Sequence, residues 1–248
     1  MSETNGYRHD YQKRMARNAE KQRAVLRFLR HEYCTTADIV AQLLGISALP
    51  PVYRFLNALT EKGYLRCVSY PIAGRNVRVW GLTPHGVAFA FDDGETAEAI
   101  PAFQPSKVSV TNLPHKLDVQ RLRLLMERAG ATNWRYVVGR LKSSGMKQAD
   151  ALAEFDGKTI AFEVERTVKS RKRYAEVLSS YLFNRKAQGI DEIWYLCPDA
   201  ATLRRVESAI TEVDEIVSPQ TGEARKVATL DRERLFSPFR FKLLGNPL

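Results

Sequence analysis

The sequence predicts an α/β (α+β) protein in two parts: a helical unit that ends in a β-hairpin, and a domain of helices around a mixed central sheet. Three observations carry this. Three amphipathic runs joined by tight turns give way, near Tyr64, to strand-like alternation; a stretch from Asp92 to Thr111 with Gly94, Pro101 and Pro105 breaks the apolar pattern; and beyond it the order is helix, three strands, helix, strand, helix and a strand-like tail. The expected boundaries are 1–92, a linker over 93–111, and 112–248. With 248 residues, 44% of them hydrophobic, the chain has apolar material for two cores.

In the N-terminal part, Ala24, Val25, Phe28 and Leu29 recur at helical spacing and predict a helix over Asn18–Tyr33. A second helix starts after Thr35 and Thr36, either of which can cap it, runs through Ile39, Val40, Leu43 and Leu44, and stops at Gly45. A third follows Pro50 and Pro51, with Val52, Phe55, Leu56 and Leu59 on one side and Gly63 as its stop. Tyr64–Tyr70 and Asn76–Leu82 then read as strands around the turn Ile72-Ala73-Gly74-Arg75, and Val87–Phe91 reads as a short helix. Three helices and a hairpin of this kind form a winged helix-turn-helix. The segment Leu82-Thr83-Pro84-His85-Gly86 resembles winged-helix regulators whose wing ends in Leu-Thr-Pro-x-Gly. In such a domain the third helix enters the major groove and the wing lies over the backbone, which makes Arg54, Asn57, Lys62, Arg75 and Arg78 candidate DNA contacts. A plain solvated surface is the alternative.

Composition points the same way. Lys and Arg total 38 against 28 Asp and Glu, a formal net charge of +10, so the field of the protein attracts polyanions. Arg8 to Arg30 holds eight basic residues against Asp10 and Glu20, a basic N-terminal arm, and Arg166 to Arg173 holds five with no acid. Cys34, Cys67 and Cys197 are far apart and lack histidines at zinc-ligand spacing, so they read as small core residues of a reducing compartment. With no apolar run long enough to span a bilayer and no signal-peptide core, the expectation is a cytoplasmic protein without a membrane partner.

In the C-terminal part, Asn112-Leu113-Pro114-His115 opens an amphipathic helix, with Asn112 as its cap and Pro114 in its first turn. Trp134–Leu141 reads as a strand. Gln148–Phe155 and Lys158–Glu165 flank Asp156-Gly157, a strong hairpin signal. If Phe155 pairs with Lys158, Asp150 lies across from Glu163, and Glu165 shares that face. Ala151, Ala153, Phe155, Ile160, Phe162 and Val164 form the opposite, core face. Three carboxylates brought together need solvent or a counter-charge: Mg²⁺ or Mn²⁺ held by Asp150, Glu163 and Glu165, or ion pairs with arginines such as Arg166 or Arg140. Ser170–Gln188 reads as a helix, Ile193–Cys197 as a buried strand, Ala200–Val213 as a helix, and Val227–Leu230 as the tail strand. Lys169, Arg171 and Arg173, expected at the start of the helix after Glu165, are placed to neutralise phosphate. His115 is a candidate for contacting phosphate or steadying a water, against the plainer roles of capping or packing. Tyr174 and Tyr181 read as core residues.

This order of elements, with an Asp and a Glu-x-Glu in these places, resembles the restriction-endonuclease-like PD-(D/E)xK core, although Glu165 stands where lysine is usual. The run Phe162-Glu163-Val164-Glu165-Arg166-Thr167-Val168-Lys169-Ser170, with Ala149-Asp150-Ala151, the His115-Lys116-Leu117 helix and the winged helix, resembles the replication-relaxation family of mobile elements and its MOB-C plasmid relaxases. The resemblance implies a metal-dependent nick of one strand of double-stranded DNA at a transfer origin, in the company of other mobilization proteins of a relaxosome. It assigns the metal to Asp150, Glu163 and Glu165. A second reading is a non-catalytic accessory or replication-control protein that keeps the fold without the chemistry. Basic surface and winged helix serve both, so the carboxylates decide.

Overall fold

A computed structural model of the chain describes residues 3–96, 98–137, 149–218, 221–227 and 230–248, with side chains from Asp10 onward except that of Asn184. The chain forms two compact units, Met1–Gln120 and Arg121–Leu248.

The first unit opens with α1 (Glu3–Glu32), which begins well before the expected Asn18. Helices α2 (Ala37–Leu44) and α3 (Leu49–Glu61) follow. Pro50 and Pro51 lie inside the first turn of α3, not ahead of it, because proline there gives up only amide protons that have no helical acceptor. Thr36 occupies the cap position of α2, but its side chain makes no cap hydrogen bond. Strands β1 (Leu65–Ile72) and β2 (Arg75–Leu82) pair antiparallel across Ala73 and Gly74. Both turn residues have positive φ, 48° and 76°, the condition for a two-residue turn whose twist matches the strands. Val25, Leu26, Leu29, Val40, Val52, Leu56, Leu59 and Trp80 are buried together, so the C-terminal third of α1 packs into this core.

The expected helix Val87–Phe91 is instead α4 (Pro84–Ala88). Thr83 caps it by accepting from the Gly86 amide at 2.9 Å, and its hydroxyl donates to the Gly63 carbonyl at 2.5 Å. Pro84 sits in the first turn, and Gly86 packs so closely on the Tyr64 carbonyl that a Cβ would overlap it. Thr83, Pro84 and Gly86 of the Leu-Thr-Pro-x-Gly segment therefore each have a mechanical role in seating α4. The expected linker is held as well. Phe103 is buried, its amide donates to the Leu82 carbonyl at 2.7 Å, and its ring meets Tyr33 edge-on at 5.5 Å. A short 3-10 turn, Pro105–Lys107, precedes α5 (Leu113–Arg128), and the division between units falls inside α5.

The second unit is built on β3 (Thr132–Tyr136), β4 (Ala151–Phe155), β5 (Lys158–Val164), β6 (Glu192–Cys197) and β9 (Phe239–Leu243), in that spatial order. β3, β4 and β5 run antiparallel, and β5, β6 and β9 run parallel, so the sheet is mixed. The end of the expected strand Trp134–Leu141, the start of Gln148–Phe155, and Arg140 lie outside the described residues. Helices α6 (Arg171–Asn184) and α7 (Ala200–Thr211) follow β5 and β6. Their Tyr174, Val177, Leu178, Tyr181, Val206 and Ile210 pack with Ala161, Ile193, Tyr195 and Cys197 of the sheet. β6 is buried along its whole length, as a parallel strand covered on both faces must be.

The tail differs from expectation. Of the expected tail strand Val227–Leu230, residues 228–229 lie outside the described residues, and the last strand of the sheet comes later in the chain. β7 (Glu215–Val217) and β8 (Ala224–Lys226) form a small separate hairpin, α8 (Arg232–Phe236) follows, and β9 supplies the edge. Phe239-Arg240-Phe241-Lys242-Leu243 alternates apolar and basic residues, the composition of an edge strand that resists further pairing. The three cysteines are free, with Cys34 and Cys197 buried and Cys67 only partly so.

Near the start of β5, Glu192 is buried yet accepts hydrogen bonds from Lys158 (2.8 Å), the Trp194 indole (2.8 Å) and Arg240 (3.1 Å). Burial alone would raise its pKa, but these donors outweigh it and hold the carboxyl below its ordinary 4.5. A depressed carboxyl stabilises the fold above its unfolded pKa and loses that contribution as pH falls through the folded one. Glu192→Gln is therefore expected to lower stability at pH 7 by about 1–2 kcal/mol and to matter progressively less as the pH falls below the ordinary carboxylate range, as measured by urea unfolding across a pH series.

Candidate functional site

The Asp156-Gly157 turn has φ of 50° and 70°, and the register it sets runs unbroken from Phe155–Lys158 to Ala151–Phe162. There the regular ladder ends. The Asp150 amide donates to the Phe162 carbonyl at 2.9 Å, and the Asp150 carboxylate turns back to accept the Val164 amide at 2.8 Å. Asp150 thus closes the mouth of the hairpin with its side chain in place of a backbone pair.

Glu163 and Glu165 lie at the C-terminal end of β5, the end of a parallel strand where α/β proteins gather ligand-binding groups. Glu163 pairs with Tyr195 in the ladder, and the Glu165 amide extends it by donating to Leu196 at 2.9 Å. Both carboxylates are buried, 3% and 4% exposed, which is costly without compensation. The Tyr181 hydroxyl donates to Glu163 at 2.5 Å from α6. The Lys169 ammonium meets Glu165 at 2.7 Å. Lys169 precedes α6 and does not begin it; Ser170 is the cap, accepting from the Arg173 amide at 3.3 Å. Glu165 therefore finds a counter-charge in Lys169.

Burial raises the Tyr195 phenol well above its ordinary pKa, and Glu163, Glu165 and Asp150 all push it further. Tyr181 is raised by burial and then chiefly by Glu163, and Tyr174 is pushed up to about 12, chiefly by burial. The three carboxylates thus act on one buried patch of phenols that burial keeps neutral, so none of these tyrosines is primed as an anion. Among the described residues, however, no three Asp, Glu, His or Cys groups converge closely enough to grip one metal ion as they stand.

The remaining candidates lie on other elements. His115 is half-buried in the first turn of α5 and belongs to the first unit, whereas the carboxylates belong to the second. Arg171 pairs with Glu212 at 3.0 Å and Arg173 with Glu176 at 2.8 Å, surface pairs too weak to withhold either side chain from a stronger anion. Arg54, Asn57 and Lys62 are exposed along α3 and its end, and Arg75 is exposed at the hairpin tip. Arg78 lies over the Tyr53 ring at 4.6 Å and the Trp80 ring at 5.6 Å, which ties the hairpin to α3. Tyr181 is the functional group that sequence reasoning missed. Helical spacing marks it as core, and only the rule that a buried phenol needs a partner could have hinted at its hydroxyl.

Similarity to known proteins settles the family. The family model described as Replication-relaxation matches residues 26–193, more than half of the chain and including the whole carboxylate cluster. The chain belongs to the replication-relaxation family. No curated protein matches. Among solved structures, the apo form of a mutant of Lactococcus lactis ZitR aligns at 26% identity over 36% of this chain and 68% of that one, with a TM-score of 0.25. As a replication-relaxation protein the chain has a role in replication or mobilization, and among its described residues no single helix is long and apolar enough to cross a membrane.

Proposed function

We propose that this replication-relaxation protein is a DNA relaxase that nicks one strand of double-stranded DNA at a transfer origin, using a divalent metal. The observation that carries the proposal is the cluster of Asp150, Glu163 and Glu165 with Lys169 at the mouth of the hairpin and the end of β5. The donor set is all oxygen and net anionic even after Lys169, which suits Mg²⁺ or Mn²⁺. On this reading the second unit is a restriction-endonuclease-like domain, and the three carboxylates would hold the ion once a rotamer change brings them together. When bound, the metal supplies charge to polarise the phosphodiester and lowers the pKa of a water. Tyr181 orients Glu163 by its hydrogen bond. Asp150 is oriented by the Val164 amide. Lys169, partly exposed and paired with Glu165, presents an ammonium to a phosphate, the role that a lysine at 165 would otherwise fill.

The first unit on this reading is a winged helix, with α3 entering the major groove and the β1–β2 hairpin over the backbone. Arg54→Ala or Arg75→Ala is expected to weaken duplex binding and to reduce the slope of log affinity against log salt by about one unit each, measured by fluorescence anisotropy across a salt series. Unchanged slopes in both would move the contact elsewhere.

The test of the whole reading is conversion of supercoiled plasmid carrying the cognate origin to open circles, with mobilization partners present. Conversion that depends on Mg²⁺ or Mn²⁺ supports the relaxase. The Glu165–Lys169 pair favours a second reading, a non-catalytic relaxosome accessory or replication-control protein, because it neutralises one carboxylate without metal. Binding of the origin with no nicking under any divalent metal would establish that alternative.

A further inference from the structure

Helix α1 carries basic residues along its length, but they fall into two classes. Toward the C-terminal end each has a partner within the first unit: Arg27 pairs with Asp92, Arg23 approaches the same carboxylate at 4.0 Å, and Arg30 bonds Glu95 at 2.7 Å while lying over the Phe91 ring at 4.7 Å. Toward the N-terminal end, residues 10–20 are exposed on every side, and Lys13, Arg14, Arg17 and Lys21 make no ion pair among the described residues. At 3.6 residues per turn these four cations share an arc of about 100° and span about 12 Å of helix axis. The acids of that stretch are Asp10 and Glu20.

A helix that pairs its cations with acids of its own domain at one end, and at the other sets four cations against only Asp10 and Glu20 on the same face, keeps a net positive surface for an external anion. Tyr11 and Met15 are also exposed there, 61% and 53%, and a second copy of the arm could cover them. Such a pair would oppose two arms of like net charge, however, whereas a polyanion satisfies the cations directly.

We propose that the projecting half of α1 is a second DNA-contacting element, which binds the phosphate backbone of the duplex without reading its sequence. The inference rests on the reading of this chain as a DNA-binding protein and adds a contact distinct from α3 and the hairpin. Because the contacts are to phosphate, their signature is the salt dependence of binding to DNA of arbitrary sequence.

The experiment compares the full chain with a variant carrying Lys13→Gln, Arg14→Gln, Arg17→Gln and Lys21→Gln, chosen because glutamine keeps helix propensity. A control carries Arg204→Gln, Arg205→Gln, Arg225→Gln and Arg234→Gln in the second unit, the same loss of charge. Anisotropy on duplex DNA of arbitrary sequence is expected to show the slope of log affinity against log salt falling by about three units in the arm variant, with a loss of about a hundredfold or more near 0.1 M salt. The control should change far less, and circular dichroism should show equal helix in both. An equal fall in the control overturns the proposal, since net charge would then explain it. So does an unchanged slope in the arm variant while wild type binds DNA. Sedimentation that shows the arm variant losing a dimer formed by the wild type also overturns it, in favour of self-association. Wild type that binds no duplex at any salt removes both the proposal and the DNA-binding reading beneath it.

Discussion

Asp150→Ala, Glu163→Ala and Glu165→Ala are each expected to reduce origin nicking by on the order of a thousandfold or more, while duplex binding is kept or slightly strengthened. The magnitude follows from what a hard cation contributes: several kcal/mol of charge stabilisation in the transition state, at a factor of ten for each 1.36 kcal/mol. The sign on binding follows from Coulomb's law, because an unneutralised carboxylate beside a phosphate repels it and alanine does not. Glu163 and Glu165 are buried at 3% and 4% exposure and are held by Tyr181 and Lys169, so removing either also leaves its partner unpaired and lowers the stability of the metal-free protein. A thermal melt therefore separates the two readings. Adding Mn²⁺ should raise the Tm of wild type and leave Asp150→Ala unmoved. If all three variants nick as wild type does, the cluster is not the active site. If Lys169→Ala alone abolishes nicking while keeping the Mn²⁺ shift, the ammonium acts on the phosphate and not on the metal.

Most of the scaffold was legible from short-range signals that tertiary packing does not override. Asp156-Gly157 set the register of β4 and β5, Gly45 and Gly63 marked helix ends, and the Thr83-Pro84-x-Gly86 run marked the seat of α4, though that helix starts three residues earlier than its apolar pattern suggested. The strand beside β6 was missed because β9 lies far along the chain and alternates with arginine and lysine, which reads as surface until a parallel neighbour buries its other face. In the candidate site, the register argument carried β4 and β5 as far as Ala151–Phe162 but not to the expected Asp150–Glu163 opposition, nor to what holds each carboxylate. Asp150 leaves the ladder to bond an amide, Glu163 is taken by Tyr181, and Glu165 by Lys169. Those partners come from loop and helix, whose approach to a strand no strand pattern encodes.

The second large effect expected is on stability. Gly86→Ala should destabilise the first unit by about 3 kcal/mol or more, seen as a fall in Tm of about 10 °C, whereas Gly74→Ala should cost only about 1 kcal/mol. The two glycines are required for opposite reasons. Gly74 sits in open space at the hairpin tip with φ of 76°, so alanine there meets only the backbone penalty of the left-handed region. Gly86 has ordinary helical backbone, but a Cβ would overlap the carbonyl oxygen of Tyr64, and its next neighbours are also Tyr64 backbone atoms. Neither side can yield cheaply. The Tyr64 carbonyl also accepts from the Thr83 amide at 3.0 Å and from the Thr83 hydroxyl at 3.2 Å, so displacing it loosens the cap of α4 together with the start of β1. The strain therefore reaches the base of the hairpin that carries Arg75 and Arg78, and DNA affinity should fall with stability in Gly86→Ala but hold in Gly74→Ala. A Gly86→Ala protein that melts with wild type would mean that α4 can slide off Tyr64 freely, and the hairpin would then lack the rigid seat that its proposed backbone contact requires.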